Sequence, residues 1–227
     1  IPGLDQARSA KPRKSMAAQM ASLAFFILSS TLIGGAWLEY SAETIEYATR
    51  MGEHCRVELA DNSTIILNTD SRVSVRISLL QRNVVLTQGE SLFEVNHNRL
   101  RPFTVKVADL RIRDVGTRFN VHKHANGATI SVLEGEVELN SGHGVINEHL
   151  VAGNQRSYSE TAGLGRLETV EAENLTAWVN GQLVFKHTPL REVTAELERY
   201  HPFQFTIADP KLAQETLSGT FIEAAIN

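Results

Sequence analysis

The chain has 227 residues, with 22 Lys and Arg against 26 Asp and Glu and a formal net charge of −4; this leaves no basic footprint for a nucleic acid. Its single cysteine, Cys55, excludes an intrachain disulfide, so an exported domain has to be held by its apolar core. Ile1 at the start and Asn227 at the end, without a closing Gly or Pro, read as cuts in a longer protein.

Residues 1–15 carry Arg8, Lys11, Arg13 and Lys14 against one acid, Asp5, and are expected to be a membrane-proximal cytoplasmic tail. Residues 16–38 follow as an apolar run with no charge inside it and Gln19 as its only strongly polar member. As a helix rising ~1.5 Å per residue it reaches roughly 35 Å, enough to cross a hydrocarbon core about 30 Å thick. Glu39, Glu43 and Glu46 come next, so the charge bias keeps the N-terminus inside and puts the rest outside the cytoplasm. A secretory signal peptide is the competing reading, but its apolar region usually spans only ~7–15 residues, and Ser41-Ala42 is a poor cleavage site.

Residues 39–54 are read as a juxtamembrane stalk or a first strand. Over residues 55–158 the hydrophobic period is two: Val57/Leu59, Val73/Val75/Ile77, Val84/Leu86, Phe103/Val105/Val107, Phe119/Val121 and Val137/Leu139 alternate with polar residues. Turn residues separate these runs at Asp61-Asn62, Asn68-Thr69-Asp70, Gln88-Gly89, Asn126-Gly127 and Asn140-Ser141-Gly142. Asn126-Gly127 is the strongest hairpin signal. The segment from Val84 to Glu90 is echoed from Ile130 to Glu136, a repeated strand, glycine turn and strand. The expected domain is all-β, either a sandwich or a solenoid-like stack.

Polar residues 159–177 read as a linker. Residues 178–227 then give a strand at Leu183-Val184-Phe185, a helix opened by Thr188-Pro189 with Leu190, Val193, Leu197 and Tyr200 on one face, and a stop at His201-Pro202. A strand through Phe203, Phe205 and Ile207 and another from Leu217 complete a truncated βαβ-type module. The fold class is therefore membrane-anchored and mainly β.

An ordered set of motifs resembles the FecR-like transmembrane regulators of extracytoplasmic-function sigma factors. The matching segments are Leu59-Ala60-Asp61-Asn62-Ser63, Leu67-Asn68-Thr69-Asp70-Ser71, Gly89-Glu90-Ser91-Leu92-Phe93, Arg101-Pro102-Phe103, Val115-Gly116-Thr117-Arg118-Phe119, Leu133-Glu134-Gly135-Glu136-Val137 and Ala152-Gly153-Asn154-Gln155. Trp178, Gly181, Leu183 and Phe185 follow, with Pro189-Leu190, Glu192-Val193 and Glu198-Arg199-Tyr200. The resemblance implies an anti-sigma factor of the bacterial inner membrane, with a cytoplasmic segment that precedes this chain. It also implies one span, a β-rich periplasmic domain and a terminal module like the short N-terminal domain of secretins and TonB-dependent receptors. The implied partners are the periplasmic signalling domain of a TonB-dependent outer-membrane transporter, often for a ferric siderophore, the sigma factor, and envelope proteases that free it. No cofactor, metal or nucleic acid is implied. Cys55 and Val115 depart from the family's habitual residues.

Two sets of site residues follow. Gly116-Thr117 is a candidate self-cleavage bond: a threonine hydroxyl can attack the preceding carbonyl if the fold strains that peptide, and relatives break themselves at a Gly-Thr in this motif. By pattern alone the pair reads as a strand bulge. Leu190, Val193, Leu197, Phe203 and Phe205 are candidate partner-binding residues, although the helical ones also suit packing beneath their own sheet. His122 and His124 share a strand face but have no third ligand nearby in sequence. Rival functions are a membrane-anchored periplasmic glycan- or envelope-binding structural protein, which would expose aromatics, and a tethered hydrolase, for which no catalytic set converges.

Overall fold

The computed structural model describes residues 16–114, 116–141 and 147–223. The basic tail expected over 1–15, Val115 of the Gly-Thr motif and Gly142 of the last turn lie outside the described residues, as do residues 224–227. The chain divides into two compact units, 1–42 and 43–227.

The described residues of the first unit form one helix, α1 (Met16–Tyr40). Phe25, Phe26, Ile27 and Leu28 are all exposed. Four consecutive residues step around the whole circumference at ~100° each, so the helix has no polar face. Its hydroxyls turn inward on their own backbone: Ser30 donates to the Ile27 carbonyl at 2.9 Å and Thr31 to the Leu28 carbonyl at 2.8 Å. Among the described residues no helix is long and apolar enough to cross a membrane.

The second unit is mainly β. One seven-stranded sheet contains, in order of pairing, β1 (Thr44–Ala48), β4 (Arg72–Ile77), β5 (Arg82–Gln88), β7 (Phe103–Val107), β8 (Leu110–Asp114), β11 (Glu136–Ser141) and β12 (Asn147–Val151). The other contains β14 (Gly163–Thr169), β13 (Asn154–Ser159), β10 (Gly127–Glu134), β9 (Arg118–His124), β6 (Glu90–Glu94), β3 (Thr64–Leu67) and β2 (Cys55–Glu58). Neighbours are antiparallel except β5 and β7. The two sheets bury one core between them, to which β4, β5, β7 and β8 contribute Val75, Leu86, Val105 and Ile112, and β3, β6, β9 and β10 contribute Ile65, Phe93, Phe119 and Ile130. Phe93 stacks on Phe119 at 5.1 Å within its sheet and meets Phe103 of the opposite sheet at 6.2 Å. With all three rings fully buried, none of them offers the aromatic platform that a glycan binder would need.

The echoed segments mark where the chain changes sheets. Gly89 lies between β5 and β6 and Gly135 between β10 and β11, with φ of +75° and +79°. A side chain at Gly89 would come within 2.6 Å of the Asp70 carbonyl oxygen. Both corners therefore need a residue that tolerates left-handed backbone and has no Cβ.

Of the two alternatives for 39–54 the chain forms a strand, β1, which joins the first sheet against β4, and within 159–177, read as a linker, β14 pairs with β13 to form the edge of the second. After a short helix, α2 (Ala172–Leu175), the terminal module pairs β15 (Gln182–Pro189) antiparallel with β16 (Thr216–Ile222), and α3 (Leu190–Glu198) lies between them in sequence. The strand expected at Phe203, Phe205 and Ile207 does not form; the Phe205 amide is taken by the Glu198 carboxylate at 2.6 Å instead of by a ladder.

A second core explains why β3, β6 and β10 are buried on both faces. Ile66, Leu92 and Leu133 point away from the sandwich interior and pack with Trp178, Leu183, Phe185, Val193, Leu197 and Tyr200. The terminal module thus covers the outer face of the second sheet, which suppresses the alternation that a half-exposed strand would show.

Candidate functional site

At the end of β8 the core-facing parity of Leu110 and Ile112 continues to Asp114, which puts a carboxylate only 1% exposed beside the Gly-Thr motif. Asp114 accepts a hydrogen bond from the Thr117 hydroxyl, and both of its oxygens accept the Gly116 amide at 3.1 Å. Gly116 has φ of +138°, and a Cβ there would lie 2.5 Å from Nδ1 of His97. The Thr117 carbonyl accepts the Val95 amide at 2.9 Å. A Cβ at Gly135 would lie 2.6 Å from the Thr117 Cγ2, so the corner glycine leaves room for the threonine methyl. The motif opens onto a groove of about 570 Å³ with Glu94, Asn96, Arg118 and Glu134 in its lining.

Where the terminal module meets the sandwich, a polar cluster surrounds Glu90. Its carboxylate accepts Asn68 Nδ2 at 2.7 Å, Asn120 Nδ2 at 2.7 Å and Arg199 Nη2 at 3.1 Å. Burial pushes this carboxyl up, but His122, Arg199 and the two amides outweigh it and hold it below the usual carboxylate range. Tyr200 exchanges hydrogen bonds with Asn68, Thr69 donates to the Arg199 carbonyl at 2.9 Å, and His54 meets Glu223 at 2.9 Å. Burial, followed by Glu196 and Glu90, raises the Tyr200 phenol.

His122 and His124 lie ring to ring at 4.3 Å. Burial is the main reason that His122 titrates low, at about 4; Glu90 opposes this while Arg199 and His124 reinforce it. His124 meets the Thr129 hydroxyl at 2.8 Å and is also shifted down, again mainly by burial. Among the described residues no group of three or more His, Cys, Asp or Glu is arranged to hold a metal.

The candidate partner-binding residues separate into two kinds. Val193 and Leu197, at 2% and 8% exposure, belong to the second core, and Leu190 packs against it. Phe203 and Phe205, at 39% and 42%, are exposed; Phe203 stacks on His201 at 5.1 Å and meets Phe205 edge-on at 5.2 Å. The Gly116-Thr117 pair and the partner-binding residues are not brought into one site. Sequence reasoning passed over Asp114 and Glu90. For Asp114 the signal is an acid at the core-facing parity of Leu110 and Ile112; Glu90 shares the outward parity of Leu92 and carries no such signal.

The FecR protein family matches residues 45–138 and the FecR C-terminal family matches residues 182–226. Two crystal structures of a candidate anti-sigma factor from Parabacteroides distasonis ATCC 8503, at 2.50 and 1.65 Å resolution, are similar to this chain. They cover 81% and 80% of this chain and 88% of their own, each with 25% identity and a TM-score of 0.69. No curated protein matches. The two family matches and the likeness to these structures define a regulator of the anti-sigma type. The chain belongs to the FecR family, whose members are membrane-anchored regulators of sigma factors.

Proposed function

We propose that this chain is the membrane-spanning and periplasmic part of a signal transducer in the bacterial inner membrane. Its terminal module receives the periplasmic signalling domain of a ligand-loaded TonB-dependent transporter, and envelope proteases then release an extracytoplasmic-function sigma factor, in service of iron or siderophore uptake. The observation that carries this reading is α1, apolar around its circumference with its hydroxyls bonded to its own backbone, directly preceding a β unit with its own core. The exposed pair Phe203 and Phe205 supplies an apolar contact for the incoming domain. Self-cleavage between Gly116 and Thr117 precedes signalling and separates the sandwich into two pieces.

Two measurements test it. A compartment-specific reporter fused beyond Tyr40 is active only in the periplasm; activity confined to the cytosol overturns the topology. The intact protein used as bait on an envelope extract recovers a TonB-dependent transporter, and recovery of glycan alone favours a structural anchor. For the scissile bond, the wild-type chain yields two fragments that Thr117→Ala abolishes, whereas an intact wild-type chain removes the cleavage step.

A further inference from the structure

We infer that Asp114 is the general base for self-cleavage at Gly116-Thr117, an assignment that rests on the cleavage proposed above. Thr117 can reach the preceding carbonyl carbon through a five-membered ring of its own atoms, but a neutral hydroxyl is a weak nucleophile until a base takes its proton. Asp114 accepts a hydrogen bond from that hydroxyl. It is anchored on the other side of the scissile bond as well, because the Gly116 amide donates to both of its oxygens. One carboxylate thus fixes the residue that gives up the carbonyl and the residue that attacks it.

The surroundings hold this arrangement in place. The Thr117 methyl occupies the space that a side chain at Gly135 would fill, and the Val95 amide holds the Thr117 carbonyl at 2.9 Å. His97 lies against Gly116 and leaves no room for a side chain there. Among the described residues, the titratable and charged groups near the loop include His97, against Gly116, and Arg118, Glu94 and Glu134 in the lining of the groove. From β7 and β11 the residues in register with Asp114 are Phe103 and Val137, which do not titrate.

The reaction balances without a co-reactant other than water. The Thr117 hydroxyl proton passes to Asp114 as Oγ1 bonds to the Gly116 carbonyl carbon. The carbon–nitrogen bond then breaks, and the Asp114 proton goes to the departing Thr117 amine, leaving an ester. Water admitted by the groove adds to that ester and gives a Gly116 carboxylate and a free Thr117 hydroxyl.

The test uses the full chain made by cell-free synthesis into detergent micelles, with fragment formation followed as a function of pH. Asp114→Asn is expected to slow cleavage by about 100-fold or more at neutral pH and to remove the fall in rate expected of the wild type on acidification. A folded Asp114→Asn chain that cleaves at the wild-type rate with the wild-type pH profile overturns the role of Asp114 and leaves the scissile bond standing. A wild-type chain that stays intact at every pH overturns both. Because Asp114 is buried, the fold of each variant is checked by its melting transition. If Asp114→Asn does not fold, Asp114→Glu decides: cleavage retained by the longer carboxylate supports the assignment, and a folded chain without cleavage overturns it.

Discussion

Arg199 of the terminal module reaches Glu90 of the second sheet at 3.1 Å, and this pair, with only a small part of either side chain exposed, ties the module to the sandwich. Removing one partner leaves the other charge buried, which typically costs several kcal/mol, whereas removing both costs much less. Arg199→Ala is expected to destabilise the docked module by about 3 kcal/mol. The double variant Glu90→Gln with Arg199→Met recovers most of that loss. Limited proteolysis near residues 170–181 reports the docking. Equal protease resistance in the single and double variants would rule out the pair as the tie.

The same cluster makes the protein sensitive to acid. His122 titrates at about 4 in the fold against an ordinary value of 6.5. The unfolded chain therefore takes up a proton that the folded chain refuses, and stability that is full above pH 6.5 is lost progressively as pH falls towards 4. Glu90, held low, adds loss in the same direction at lower pH; Glu196, raised chiefly by its burial, acts oppositely. His122→Gln is expected to flatten the decline in denaturation midpoint between these limits. A slope unchanged from wild type would show that another group sets it.

Arg82 is the largest fully buried side chain of the sandwich. Its guanidinium donates to Asp61 at 2.8 Å and to the Arg101 and Asn96 carbonyls, and it lies 5.6 Å from the centre of the Phe103 ring. Arg82→Ala leaves Asp61 without its cation and is expected to cost about 3–5 kcal/mol in chemical denaturation. Asp61 is now held low because Arg82 and Ser63 outweigh its burial, so in the variant it titrates higher.

Phe203→Ala and Phe205→Ala test the exposed patch. Neither ring belongs to a core, so stability is expected to stay within about 0.5 kcal/mol of wild type, while capture of the transporter's signalling domain weakens. Undiminished capture by the double variant would move the contact elsewhere on the module.

Gly135→Ala probes the corner and the scissile bond together. Left-handed backbone costs a side chain about 1–2 kcal/mol, and the new methyl would stand 2.6 Å from Thr117 Cγ2. Fragment formation is expected to fall more than stability does, because Thr117 must shift to make room. Cleavage that follows stability alone would show that the threonine's position is not limiting.

Strand parity carried most of the sandwich: Val73/Val75, Val84/Leu86, Phe103/Val105/Val107 and Phe119/Val121 all lie inward. What parity hid was the second core. Ile66, Leu92 and Leu133 sit at outward positions, and only the arrival of α3 and β15 makes them interior. β14 was read as linker because Gly163-Leu164-Gly165-Arg166 has a turn's composition, and its role as an edge strand comes from β13 rather than from its own residues. Phe203, Phe205 and Ile207 show the converse: alternation sufficient for a strand, with no neighbouring ladder to accept it. Asp114 was overlooked for the same reason as Arg82, since a charge at an inward position is unreadable until its partner is known.

The order of strands gives the proposed self-cleavage a mechanical meaning. Scission after Gly116 falls between β8 and β9, and in both sheets every strand from the front half of the chain lies on one side of a line and every strand from the back half on the other. Among the described residues two strand ladders cross that line, β8 with β11 and β6 with β9, the second extended by main-chain bonds from Lys123 to Gly89 and from Val95 to Thr117. The rear piece also carries the terminal module, which grips Ile66, Glu90 and Leu92 of the front piece. A nicked molecule is thus a zipper with a clasp: a partner that pulls the module loose exposes two short rows of hydrogen bonds, which can then open one after the other.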